Sequence, residues 1–246
     1  MWSQSEGVLV VGYKIEIAEL ATSIDDHQLP DLFRRFLYDL QSPGSSDVSI
    51  HACPQFHDKI SVVSSASTVY FAPSDSTGMS GLRKERIHTS PSWRKRSARY
   101  DTVLIKNGLQ SSPNGLSVAH LRLLFSFEFE EVKHCAALVQ WFTFVDESPD
   151  KDTGMWIVER KVRADGLPHV GFISTKDILR NCHLIPVYGT IKVPLKISAQ
   201  DSLVAFKTYY LNRYIDHHAF EILSCLSDGE DSGTEEEGLD SDELNT

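Results

Sequence analysis

The sequence predicts a mainly β fold of the α+β type, built around a small barrel-like domain. From residue 59 onward, short runs rich in β-branched and aromatic residues recur, and turn residues separate them. Hydrophobic residues make up 41% of the chain, which is enough to bury a core. The 246 residues leave room for one domain of about 150 to 200 residues with appendages.

Residues 1–58 are predicted to form an N-terminal helical or extended arm. Residues 13–21 alternate like a strand but contain helix formers, so their state stays open. Between Leu29 and Leu40, leucine and phenylalanine recur at spacings of three and four, which predicts an amphipathic helix over about residues 30–41. Pro30 is suited to its first turn, and the SPGSS run ends it.

A β-rich, barrel-like domain is predicted over residues 59–226. Its candidate strands are KISVV, TVYFA, 101–106, 117–129, 134–145, 154–163, 169–173, 183–188 and 208–215. Leu123, Leu124 and Phe125 are consecutive, so strand 117–129 is either bulged or buried on both faces. Short helices are predicted at 174–180, capped by Ser174, and after Asp216, with Phe220 and Leu223 packed inward.

Charge is strongly segregated along the chain. The formal net charge is −10, but residues 228–246 hold nine acids and no base, so the remainder is nearly neutral. This acidic run is poor in apolar residues, which predicts a disordered tail over residues 227–246. Ser227, Ser232 and Thr234 lie next to acids and are candidate acceptors for an acid-directed kinase.

One segment points to a partner: a basic loop predicted at residues 73–100, which lacks apolar periodicity. The predicted nucleic-acid-binding residues are Arg83, Lys84, Arg86, Trp93, Arg94, Lys95, Arg96 and Arg99. Between Arg83 and Arg99, Glu85 alone opposes the seven cations, which can contact phosphates, and the indole can stack on a base or anchor the loop. Two alternatives stay open: a solvated loop paired to the body or the tail, and a nuclear-localisation patch, WRKRSAR.

Other polar clusters are better explained by structural roles than by metal binding or catalysis. His134/Cys135 and Cys182/His183 could supply zinc ligands, but strand neighbours point to opposite faces, which favours buried thiols and core histidines. The acids of DESPDKD fit a hairpin loop and fail the calcium-loop template, and His217 and Glu221 lack a partner motif. No catalytic residue, metal or cofactor is therefore predicted, and the chain is expected not to be an enzyme; an enzyme of unknown class is the third alternative.

The compartment and the membrane relation follow from cysteine usage and hydropathy. The four cysteines lie far apart and the chain opens without a secretory pattern, so an intracellular location is expected, with the nucleus favoured by the basic patch. Charges interrupt the longest apolar runs, which are far shorter than the roughly 20 residues that span a bilayer. No membrane contact and no small-molecule substrate are inferred.

Several short sequence motifs, taken in their order along the chain, resemble those of a known family. Across residues 29–225, these motifs resemble the C-terminal region of proteins encoded by fungal CACTA-type DNA transposons of the Plavaka group; they are APSD, RKERIHTSPSW, ARYDTV, VAHLRLLFSF, CAALVQWF, DTGMWIV and RYIDHHAFEI. The resemblance implies a β-barrel of the bromo-adjacent-homology type, a module associated with chromatin and protein contacts. It also implies a fragment of a degenerate element or a host gene derived from one. The catalytic transposase core is absent, so no catalytic position is carried over.

Together, these features predict a non-catalytic interaction module that contacts DNA or chromatin through the basic loop. The alternative is a nuclear adaptor that recruits a protein partner through the barrel and uses the basic loop only as a targeting signal.

Overall fold

The chain folds as a mainly β protein, as the sequence predicts. The computed structural model describes residues 11–44, 48–72, 81–94, 97–106, 115–189, 192–193, 197 and 201–224. Within these ranges the strands are β1 (Val11–Glu16), β2 (Lys59–Val63), β3 (Ser65–Phe71), β4 (Leu82–Ser90), β5 (Arg99–Tyr100), β6 (Thr102–Lys106), β7 (Leu116–Phe129), β8 (Val132–Phe144), β9 (Trp156–Arg160), β10 (Val170–Ser174), β11 (Ile178–Cys182), β12 (Leu184–Pro186) and β13 (Thr208–Leu211). The α-helices are α1 (Ile17–Ser23), α2 (Leu29–Gln41) and α3 (His217–Ser224), with 3-10 turns at Ile50–Ala52 and Thr175–Asp177.

A long hairpin, β7–β8, is the spine of the main sheet. Each of its strands carries two shorter strands on its outer edge: β2 and β6 pair with β7, whereas β9 and β10 pair with β8. β1 extends the sheet beyond β2, and β13 and then β12 extend it beyond β9. The pairing is antiparallel in each of these cases, so strands that are close in sequence can lie side by side without a helical crossover.

The main sheet curls until one segment joins its two sides. β11 pairs with β6, and β12, which is separated from β11 by His183 alone, pairs with β13. Strand pairing therefore runs from β6 through β7, β8, β9 and β13 to β12, and the chain itself, not a strand pairing, links β12 to β11 and so back to β6. Trp156, Tyr209, Leu211 and Leu223 are buried in the cluster that this ring encloses. The barrel-like architecture predicted from the strand pattern is confirmed.

The N-terminal helices cover another face of the same sheet. The helix predicted at about residues 30–41 is confirmed as α2, which buries Phe33 and Phe36. The Phe33 ring meets Phe127 of β7 and Phe172 of β10 edge-on, with centroids 5.3 and 5.0 Å apart, a favoured aromatic geometry. Because β1 also pairs with β2, the segment predicted as an arm shares a sheet and a core with the β-rich domain.

β7 is both bulged and buried on two faces, so both alternatives open at the sequence level are realised. Its register with β8 shifts between Leu121 and Leu123. Leu123 and Phe125 join the cluster beneath α2, whereas Leu121 and Leu124 join a cluster with β4 and β6 residues. A strand between two apolar clusters needs consecutive hydrophobic residues rather than alternation.

Two short segments differ from the expectations. Residues 13–21, whose state was open, divide between β1, which ends at Glu16, and α1, which begins at Ile17. The prediction of a helix over 174–180 is wrong, because the segment forms a single 3-10 turn and then enters a strand. The Ser174 hydroxyl does accept a hydrogen bond from the Lys176 N–H at 3.3 Å, but Ile178 then begins β11 opposite Ile105.

The last helix is capped as predicted but packs differently. Asp216 Oδ1 accepts a hydrogen bond from the Ala219 N–H at 2.8 Å, at the start of α3. Leu223 is buried, whereas Phe220 is 44% exposed, which corrects the inward packing predicted for it. Its ring instead lies 4.4 Å from the guanidinium carbon of Arg213.

The predicted acidic tail at 227–246 lies outside the described residues. Among the helices that the structure describes, none has the length and apolar character to cross a bilayer.

Candidate nucleic-acid interface

The segment predicted as a basic loop contains a strand. β4 pairs with β3 without a register shift, from Ser65 opposite His88 to Phe71 opposite Leu82. The two residues of β5 pair with the far end of β4 and complete a small three-stranded sheet. The prediction of a loop over 73–100 is therefore wrong for β4 and β5, while residues 73–80 and 95–96 lie outside the described structure.

Strand alternation divides the cations of β4 between two faces. Successive residues of a strand point to opposite sides, and directly opposed residues of an antiparallel pair share a side. Lys84 and Arg86 therefore lie together on the outer face, where both are exposed. Arg83 lies on the inner face, opposite Tyr70, and hydrogen-bonds to its side chain.

The outer face continues to a turn at Trp93. His88 follows Arg86 by two residues on the same side of β4, and the Trp93 ring packs edge-on against its imidazole, 4.2 Å between centroids. The guanidinium carbons of Arg94 and Arg99 lie 5.5 and 5.1 Å from the Trp93 ring centroid. Cations at this distance are attracted to the face of an indole. We call Lys84, Arg86, Trp93, Arg94 and Arg99 the basic face.

Asp101 fixes one end of the basic face. Its Oδ2 accepts a hydrogen bond from the His88 backbone N–H at 2.9 Å and lies 2.9 Å from His88 Nδ1. Its Oδ1 accepts from Arg99 Nε at 2.8 Å. His88 is thereby buried between the carboxylate and the indole. Of the two roles open to Trp93, stacking on a base or anchoring the segment, these contacts favour the anchor.

The inner face of the β3–β4 hairpin covers a buried ion pair that the sequence did not predict. Arg180 of β11 is 3% exposed and forks onto Asp216, with Nη1–Oδ1 and Nη2–Oδ2 distances of 2.8 and 2.5 Å. The Tyr70 ring lies 5.1 Å from the Arg180 guanidinium carbon and stacks on His218 at 4.5 Å. Paired, two-pronged contacts of this kind are the stronger class of ionic hydrogen bond.

Titration behaviour agrees with a charged pair. The hydrogen bonds from Arg180 lower the pKa of Asp216 from 3.8 to about 2, against the opposing effect of burial. Burial by itself would lower the pKa of Arg180, but the bond to Asp216 and the nearby charges raise it. Both groups are therefore ionised at neutral pH.

Glu85, the one acid between Arg83 and Arg99, belongs to this inner cluster. Its Oε2 accepts a hydrogen bond from the Asn181 backbone N–H at 2.9 Å. Burial raises the pKa of Glu85 and also that of Tyr70. The inner cluster of Tyr70, Glu85, Arg180, Asp216 and His218 joins the hairpin, β11 and α3. Its groups contact each other, so it supports the fold rather than offering an open site.

The structure thus brings together five of the eight predicted residues, those of the basic face. It separates Arg83 from them, and Lys95 and Arg96 lie outside the described residues, as do Ser227, Ser232 and Thr234. Sequence reasoning missed Asp101, although a local signal existed: it follows Arg99 by two residues, and such residues share a strand face. The Arg180–Asp216 pair joins residues 36 apart, which no local pattern reports.

The alternative sites show structural roles. Burial raises the pKa of Cys182 to about 12, which disfavours the thiolate that metals bind. His134 stacks on Phe127 at 5.3 Å, and Asp150 accepts a hydrogen bond from the Thr153 N–H within its turn. Within the part of the chain that the structure describes, no three His, Cys, Asp or Glu residues are placed to hold a metal ion.

A cavity lies between the β3–β4 hairpin and the main sheet. Its wall includes Ser67, Thr68, Cys135 and Thr175, and about 20 Å³ of it is open to the centre of a water molecule. One ordered water needs about 10 to 15 Å³ on this measure. The cavity therefore accommodates about one water and is too small for an organic substrate or cofactor.

Comparison with protein-family models, with curated proteins and with solved structures finds no match for this chain.

Proposed function

We propose that this chain is a non-catalytic binding module that contacts the phosphates of nucleic acid through the basic face. The observation that carries the proposal is the gathering of Lys84, Arg86, Arg94 and Arg99 on one side of the three-stranded sheet β3–β4–β5 and its β4–β5 turn. Lys84, Arg86 and Arg94 are exposed. Arg99 already contacts Trp93 and Asp101. It therefore adds to the positive electrostatic potential of the basic face more than it contacts a phosphate directly.

The dimensions of the basic face suit a phosphate backbone. Ser90 lies six residue steps along β4 from Lys84, which at about 3.3 Å per step is about 20 Å. One strand of a duplex advances about 3.4 Å per phosphate, so this length spans about six phosphates. Contacts to phosphates position a protein but carry no sequence information. We therefore expect binding that depends little on the nucleotide sequence and strongly on the salt concentration.

The side chains that could act as acids or bases are engaged with one another or covered, which supports a binding role rather than catalysis. Arg180, Asp216 and Tyr70 are engaged with one another beneath the hairpin. The His88–Asp101 pair, which resembles a base with its orienting acid, is covered by Trp93. A general base must reach the proton that it removes, and this imidazole is 4% exposed.

The test is a salt series of binding to labelled duplex and single-stranded DNA. The full chain is compared with a Lys84→Ala/Arg86→Ala variant and with a Lys133→Ala/Lys151→Ala control, which removes two exposed lysines, one at the start of β8 and one in the β8–β9 turn. Each lost phosphate contact reduces the slope of log affinity against log salt by about 0.9 for duplex DNA. We expect the first variant to lose about 2 from the slope and the control to keep the wild-type slope.

Two outcomes would contradict the proposal. Equal losses in both variants would mean that net charge, and not the basic face, drives binding. An absence of binding at low salt would remove nucleic acid as the partner and would favour the adaptor hypothesis, in which the barrel contacts a protein. Circular dichroism of each variant establishes that its fold is retained.

A further inference from the structure

We propose that the acidic C-terminal segment, residues 228–246, docks on the basic face of the same molecule. The docking itself needs only the basic face, whereas its consequence, competition with nucleic acid, rests on the function proposed above. The segment would then limit access of an anionic partner to Lys84, Arg86 and Arg94.

Charge complementarity identifies the occupant. The segment carries nine acids and no base. Carboxylates accept the same hydrogen bonds from lysine and arginine that phosphate oxygens accept. Two arginines already have an acidic partner: Arg180 on the inner face pairs with Asp216, and Arg99 on the basic face pairs with Asp101. Lys84 and Arg86 are exposed on the outer side, where a chain of carboxylates can reach them.

The attachment point of the segment lies next to the hairpin. His218 of α3 stacks on Tyr70 of β3 at 4.5 Å, and Arg180 holds both the start of α3 and the Tyr70 ring. The described part of α3 ends at Ser224, six helical residues beyond His218, or about 9 Å along the axis. The last described residue, Ser224, therefore lies less than two helical turns from His218, which contacts the hairpin that carries the basic face.

The available length is sufficient. Twenty-two residues follow Ser224 in the sequence. A flexible chain of that length has a root-mean-square span of about 25 Å, compared with about 20 Å along β4 from Lys84 to Ser90. Tethering over such distances corresponds to a local concentration in the millimolar range. Weak contacts that would be negligible between separate molecules can therefore be populated within one.

These contacts are expected to be reversible. Exposed ion pairs contribute about 0 to 1 kcal/mol each, and salt screens them over about 8 Å at physiological ionic strength. Competition should therefore be largest at low salt. Phosphates on Ser232 or Thr234 would each add about −1.5 to −2 of charge and strengthen the docking.

The first experiment detects the docking without nucleic acid. Zero-length carbodiimide coupling of the full chain, followed by mass spectrometry, reports which lysines lie against the carboxylates of residues 228–246. We expect links to Lys84 that disappear at 0.5 M salt and few links to Lys133, an exposed lysine at the start of β8 that serves as the control. Equal coupling to both lysines, or no coupling at low salt, would overturn the docking. Links found mainly between two chains would replace it with docking on a second copy.

The second experiment measures the competition. A full-length variant in which the nine acids are replaced by their amides is compared with the wild type for DNA affinity. We expect at least threefold tighter binding at low salt and convergence of the two proteins as salt rises. Equal affinity at all salt concentrations would overturn the competition. If neither protein binds DNA, the proposed function fails, while the coupling result still decides whether the segment docks.

Discussion

The charged side chains on the two faces of β4 lie in different environments. On the inner face, Glu85 is directed toward a cluster in which Arg180 and Asp216 form a buried, two-pronged pair. On the outer face, Lys84 and Arg86 are exposed to solvent, two residues apart. The charges of one strand thus serve the fold on one side and are open to a partner on the other.

The contrast between the two faces shows that counting charged residues in a sequence segment overestimates how many of them are available to a partner. The basic segment contains seven cations, but strand alternation and pairing decide which of them can reach a partner. Arg83 is turned inward and Arg99 is held by Asp101, so Lys84, Arg86 and Arg94 remain the exposed members among the described residues.

The sharpest test of the comparison uses two adjacent residues, Tyr70 and Phe71. Tyr70 is 6% exposed and contacts the inner cluster, whereas Phe71 is 53% exposed on the outer face. Removal of a buried aromatic side chain costs about 3 to 5 kcal/mol, so we expect Tyr70→Ala to lower the free energy of unfolding by about 4 kcal/mol. Phe71→Ala should cost less than about 1 kcal/mol. Urea unfolding of both variants measures this, and equal losses would mean that the hairpin does not pack by its inner face.

A second test removes one charge of the buried pair. Asp216→Asn keeps the size of the side chain but removes the carboxylate that hydrogen-bonds to the buried Arg180 guanidinium, so that Glu85 remains as a nearby acid. Because the Asp216 side chain is 33% exposed, we expect a loss of about 2 kcal/mol in the free energy of unfolding, less than for a fully buried pair. Asp146→Asn, at an exposed carboxylate in the β8–β9 turn, is the matched control and should stay within about 0.5 kcal/mol.

The same pair predicts how stability depends on pH. Because the folded-state pKa of Asp216 is lowered from 3.8 to about 2, its contribution is complete above pH 4 and is lost as the pH falls from about 4 to about 2. The wild type should therefore lose stability in this window, and Asp216→Asn should lose less of it. Parallel pH profiles of the two proteins would contradict the assignment of the ion pair.

The smallest expected effect concerns the anchor of the basic face. Trp93→Ala removes the ring that supports Arg94 and Arg99 and covers His88, and we expect a loss of about 1 to 2 kcal/mol in stability. DNA affinity should fall a few-fold. Trp93→Phe retains an aromatic surface and should restore most of both. If Trp93→Phe binds as weakly as Trp93→Ala, direct contact of the indole with a base would replace the anchoring role.

Several elements were predictable because their patterns are local. The spacing of leucine and phenylalanine over α2 reports one buried helical face, and the consecutive residues Leu123, Leu124 and Phe125 report a strand between two apolar clusters. Ser174 illustrates the limit of such signals. Its capping bond forms, yet pairing of Ile178 with Ile105 ends the helix after one turn.

β4 was missed for a different reason. Strand prediction relies on an apolar face, and Leu82 to Arg86 offers none, because one side faces solvent and the other faces the ionic cluster around Arg180. Periodicity cannot separate such a strand from a charged loop. The same argument explains why the site was half predictable: composition located the cations, but their sorting between two faces depends on pairing with β3.

The closure of the barrel-like sheet has a consequence for synthesis on the ribosome. Thr102 of β6 hydrogen-bonds to Cys182 of β11, 80 residues further along the chain. At about 5 to 20 residues per second, β6 would wait on the order of 4 to 16 s for the strand that covers its outer edge. Uncovered strand edges recruit other chains. Translation products that stop before β11 are therefore expected to aggregate or to depend on chaperones, whereas release of the complete strand removes that edge.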